Sequence, residues 1–143
     1  MPTRHELLDL VDARLSALTG FTKTFETDPE RVSMYLSAQQ AQAGYSLDMD
    51  GAVVAAGRQN KRAQVNTSIV VGLLVDVRQY DPIKSIGESI DKTDQVVQAM
   101  MGGYPGWQVF WEGSEAESLD GGALRSVIIT FTATGSVDFA GVS

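Results

Sequence analysis

The sequence predicts an α+β fold: a mainly antiparallel sheet of about four to five strands with two helices packed on one face, in the order α-β-β-β-α-β-β. Three observations predict it. Two segments, near residues 3–18 and 80–103, carry apolar residues at helical spacing. Other segments alternate apolar and polar residues with a period of two. Short turn-like links join neighbouring strands, which implies hairpins and hence antiparallel pairing.

The first helix spans about Thr3–Leu18. Thr3 followed by Glu6 is a capping box that satisfies orphan amides of the first turn. Leu7, Leu8, Val11, Leu15 and Leu18 share one face, and Gly20 is placed to stop the helix. A short strand, "FTKTFE", and a turn, "TDPE", lead into "RVSMYLSAQQ" at 31–40. There Val32, Met34, Leu36 and Ala38 alternate with Ser33, Tyr35, Ser37 and Gln39, the pattern of a half-buried strand. The stretch at about 41–61 is rich in Ala, Gly and Gln without a sustained period. It reads as a long loop or a loose hairpin arm, and so long a loop in a small domain tends to be functional.

The strongest strand runs from Arg62 to Arg78. Ile69, Val71, Leu73, Val75 and Val77 line one face, while Val70, Gly72 and Leu74 make the other apolar enough to expect partial cover. The second helix has Asp81 as cap and Pro82 in the first position. Its apolar stripe is Ile83, Ile86, Ile90, Val97 and Met101, with Lys84–Glu88 and Glu88–Lys92 pairs expected on the wet face. The chain closes with a hairpin: "WQVFWE", an acidic loop "GSEAESLDGG", and "ALRSVIITFTATG". A short C-terminal tail at about 135–143 has no clear period. Its 143 residues fit a single domain, 1–143.

Composition narrows the function. The net charge is −7, and there are no cysteines, which excludes disulfide frameworks and thiolate metal sites. A pI near 4.5 disfavours general nucleic-acid binding. The N-terminus has acids throughout and no continuous apolar run, so neither a signal peptide nor a membrane span is expected. "LDMDGAV" at 47–53 looks like the nucleophile loop of haloacid-dehalogenase-type phosphatases, with Asp48 as nucleophile and Asp50 as acid/base. That chemistry needs a buried parallel strand before the loop, and "AQQAQAGYS" is not one, so an Asp-Gly turn is the preferred reading. His5 is the only histidine and lies in the first turn of a helix with no nucleophile elbow anywhere, which makes it a surface residue. No catalytic, cofactor-binding or metal site emerges.

Charge segregates instead. Arg58, Lys61 and Arg62 form a basic knot before the strongest strand, and Glu112, Glu115, Glu117 and Asp120 form an acidic knot in the last hairpin. The basic knot admits three readings: a solvated loop, a surface for an acidic partner, or a local nucleic-acid contact. The matching acidic group favours contact across a boundary between identical subunits or with a partner protein, since unlike patches join copies head to tail.

At this point the layout resembles the tail terminator proteins of long-tailed bacteriophages, small proteins that cap the tail tube. "HELLDLVDARLSAL" is similar to their opening helix, "TFETDPERVSMYLSAQ" to their turn and second strand, and "AQVNTSIVVGLLVDV" to their long central strand. "SIDKTDQVVQAMMGGYPGW" resembles their second helix and its exit, and "WEGSEAESLDGGALRSVIITFTAT" their last hairpin. The resemblance covers nearly the full length. It implies a non-enzymatic virion protein without cofactors, assembled in the host cytoplasm and resident in the tail or neck. Six copies would form a ring on the last ring of tail tube protein, end tube polymerisation and meet the head-tail connector or stopper protein. DNA would pass through the lumen without specific binding, which acidic walls suit because they repel phosphate. The same residues leave open another neck or tail-completion protein, or a small monomeric ligand-binding module with Trp107, Phe110 and Trp111 lining a cleft rather than filling a core.

Overall fold

The structure is a computed structural model, and it describes residues 3–23, 43–59, 62–77, 81–119 and 124–138. The chain order is α1 (Arg4–Ser16), β1 (Phe21–Lys23), β2 (Ala43–Gln59), β3 (Arg62–Asp76), α2 (Pro82–Met100), β4 (Gly102–Tyr104), β5 (Trp107–Leu119) and β6 (Leu124–Asp138). The α+β class is as the sequence predicts. The sheet is larger than expected, with six strands in the order β1-β2-β3-β6-β5-β4, and it is mixed because β1 runs parallel to β2. The expected strand at 31–40 and the turn before it lie outside the described residues.

Each helix starts where its cap chemistry dictates. The Thr3 hydroxyl accepts from the Glu6 amide at 3.2 Å, and the Asp81 carboxylate accepts from the Lys84 amide at 2.8 Å with Pro82 opening the helix. Helix α1 buries Leu7, Val11 and Leu15 against the sheet. Such side chains contribute about 1.5–3 kcal/mol each.

One face of the sheet forms the core. Ile69, Val71 and Leu73 of β3 stand opposite Phe131, Ile129 and Val127 of β6, and all six are buried. Both helices cover this face: Val96 and Met100 of α2 join Leu7, Val11 and Leu15 in the same cluster. The residues between them, Val70, Gly72 and Leu74 on β3 and Ile128, Thr130 and Thr132 on β6, point away from the helices and remain at least partly accessible.

Of the two readings of the 41–61 segment the hairpin arm holds, and one expected loop is a strand. Residues 43–59 of the 41–61 segment form β2, which pairs antiparallel with β3 as one arm of a hairpin. The acidic stretch expected as a loop continues β5 as far as Leu119. The tail expected from 135 begins later, because β6 continues to Asp138. Between α2 and β5 the chain turns through Pro105 and Gly106, whose φ of 81° suits the third position of a type II turn and pairs β4 with β5.

The second helix packs the other way round from its hydrophobic pattern. Its sheet-facing side is Ser85, Ser89, Lys92, Thr93, Val96 and Met100, all buried. The expected core stripe faces solvent, with Ile83 79% exposed, Ile86 43%, Ile90 52% and Met101 43%; only Val97 packs against the core. The polar side chains tolerate burial because they are satisfied locally: Ser89 donates to the Ile86 carbonyl at 2.8 Å and Thr93 to the Ser89 carbonyl at 2.7 Å. Lys92, expected on the wet face, lies instead 5.0 Å over the Phe21 ring, with Glu88 at 4.0 Å.

Candidate functional site

The two charged groups are far apart. Gln59 pairs with Arg62 at the tip end of the β2–β3 hairpin, and Arg62 pairs with Asp138 at the same end of the sheet. Glu117 pairs with Ser126, which lies beside Leu74 near the opposite end. The twelve residue steps from Arg62 to Leu74 span about 40 Å at strand rise. Arg58 and Arg62 therefore belong to one end of the sheet, and Glu115 and Glu117 lie toward the other. Lys61 and Asp120 lie outside the described residues.

Between the middle of the sheet and its acidic end the chain builds a shallow groove. Register shifts between Trp111 and Gly113, so Glu112 is an extra residue in β5, a bulge that tilts the strand. Glu115 and Glu117 pair with Ile128 and Ser126 on the face turned away from the helices. Glu112, Gly113, Ser114, Glu115, Ile128 and Thr130 line a groove of about 380 Å³. Phe110 and Trp111 are half exposed just before it, whereas Trp107 is buried against Gly135. Of the three aromatics, one is core and two are surface.

The remaining polar side chains stabilise the layers. Arg14 donates to the carbonyls of Ala99 and Gly103 and stacks 3.7 Å over Tyr104, joining α1 to the end of α2. Tyr45 bonds the Ser16 hydroxyl at 2.8 Å and donates to Asp12 at 3.4 Å, while Lys23 donates to Asp12 at 3.1 Å. Burial pushes both phenols up; Tyr45's hydrogen bond from Ser16 and Tyr104's neighbouring Arg14 oppose the shift. Asp48 is an exposed carboxylate in the middle of β2, opposite Val70 in an antiparallel pair, where its oxygen accepts from the Met49 amide. It is not at the end of a buried parallel strand, the setting that phosphatase chemistry requires. His5 is a surface residue, 3.7 Å from Asp9 one turn on.

The surface that sequence reasoning missed is the α2 stripe. Hydropathy alone assigns it to the core because it is the most apolar side of the helix. The signal that could have exposed it is Ser85, Ser89 and Thr93 recurring on the opposite side with Val96 and Met100. Small hydroxyl residues bury readily in a helix because the preceding turn accepts their protons.

No family model matches the chain, and no curated protein does. Among solved structures the fold is similar to a chain in the virion of a native gene transfer agent particle, at 15% identity and a TM-score of 0.59. The likeness covers 92% of this chain and 95% of that one, so it concerns the whole fold and not a shared fragment.

Proposed function

We propose that this chain is a structural virion component, a tail terminator that forms a ring at the head-proximal end of a tail tube. The observation that carries the reading is the end-to-end likeness of its fold to a chain of a gene transfer agent virion. It agrees with the resemblance read from the sequence. In this reading the protein is not an enzyme. Six copies close into a ring that ends tube polymerisation and presents a joint to the head-tail connector or stopper protein, with DNA passing through the lumen.

The separation of charge supports a head-to-tail contact. Basic and acidic groups at opposite ends of one rigid sheet cannot neutralise each other within a chain, but they can between neighbours. Such heterologous contacts generate rings when the rotation closes. The test is to add purified protein to growing tail tubes and to follow tube length and end structure by electron microscopy. Shortened tubes with a sixfold cap at one end support the reading. Tubes that grow to full length without a cap overturn it.

A further inference from the structure

The α2 stripe is the feature that packing within the chain leaves unexplained. Ile83, Ile86 and Ile90 fall on one side of the helix, because steps of three and four residues return to nearly the same direction. All three are exposed. Gly87 lies among them, and a Cβ built there meets nothing within 4 Å. Glycine inside a helix lowers its stability relative to alanine, and among the described residues no neighbour requires the missing side chain. Its absence leaves a notch in an apolar ridge. Lys84 and Asp91, both exposed, stand on one rim of that ridge, while Glu88 between them lies 4.0 Å from Lys92.

We propose that α2 is a self-pairing surface: two copies pack their α2 helices antiparallel about a twofold axis, with Ile90 of each copy filling the notch at the partner's Gly87. A twofold axis that exchanges antiparallel helices keeps each rim facing its own counterpart. In that register Lys84 stands level with position 93 of the opposite helix, about 3 Å of rise from the partner's Asp91. Two Lys84–Asp91 contacts form at once. The occupant is a second copy of this chain because the surface complements itself twice, knob to notch and cation to anion. A contact confined to one helix of each copy belongs to weak, reversible pairs and not to obligate dimers. It leaves both ends of the sheet free, so it is separate from the ring contacts of the proposed function.

The chain has no cysteines, so introduced ones report contacts cleanly. Copies carrying Gly87→Cys are mixed with copies carrying Ile90→Cys under mild oxidation. A disulfide-linked dimer in the mixture, absent from either variant alone, is the expected result. Gly87→Ala supplies the second measurement. It raises the melting temperature by about 2–4 °C through helix propensity. At the same time the added methyl fills the notch and weakens pairing, read by sedimentation, by tenfold or more. Association without the 87–90 link overturns the proposal, as does pairing untouched by Gly87→Ala, and as does a chain that stays monomeric at every concentration. None of these results bears on tube capping, which tests the ring by itself.

Discussion

Gly135 is the position where a single atom matters most. A Cβ added there would lie 2.5 Å from a ring carbon of Trp107 and 2.7 Å from the Gly106 carbonyl. Neither can retreat, because Trp107 is buried and Gly106 forms the turn between β4 and β5. Gly135→Ala is expected to cost about 1–3 kcal/mol by overpacking, measured by urea unfolding. Two tyrosines make stability depend on alkaline pH. Tyr45 and Tyr104 have folded pKa values raised above the usual 10.0, chiefly by burial. An acid that ionises later in the folded state contributes stability below the unfolded pKa and loses it as pH rises through the folded one. Stability should therefore be flat up to about pH 10 on this account and fall beyond it. Tyr104→Phe should flatten part of that fall, and ultraviolet titration should show these two phenols ionising later in the folded than in the urea-unfolded protein.

At the scale of elements, the inverted packing of α2 makes a paired prediction. Met100→Ala should cost about 2–5 kcal/mol, because it opens a cavity in the core. Ile90→Gln should change stability by less than about 0.5 kcal/mol, because Ile90 faces solvent. Equal costs for the two in thermal unfolding would contradict the observed packing. Both helices were legible in the sequence, and so were their caps, since Thr3, Asp81 and Pro82 act locally. The orientation of α2 was not, because hydropathy alone cannot tell an apolar side that meets the sheet from one that stays exposed. Strands β3 and β6 were legible because they pair without a register shift and alternate cleanly. Strand β2 was not. Its pairing with β3 shifts after Met49, Val54 and Ala56, and each shift adds a residue to β2, so the period of two is reset before it can be read. The bulge at Glu112 did the same to the end of β5, where acidic residues then looked like a loop.

For the whole molecule, the charged groups were readable as composition, but their distance was not. Only the pairing of β3 with β6 and of β6 with β5 sets Arg62 and Glu117 toward opposite ends of the sheet. Charge exchange tests whether those ends meet between copies. Arg58→Glu with Arg62→Glu should weaken ring formation, and so should Glu115→Lys with Glu117→Lys. A mixture of the two reversed chains should recover part of it in a salt-dependent way. Light scattering across ionic strength checks this, and assembly indifferent to both reversals would exclude the contact.

The pairing of β3 with β6 also orders events in time. Their partners are separated along the chain by 48 residues, for Asp76 with Leu124, up to 76, for Arg62 with Asp138. Contacts that distant form slowly, since the intervening chain must lose its freedom before the pairing rewards it. During synthesis β2 and β3 can join as soon as they emerge, but the middle of the sheet waits for the final strand. Until then β3 and β5 each present an open edge to other chains. Completion of β6 is thus the step that closes both edges and turns an aggregation-prone nascent chain into a folded sheet.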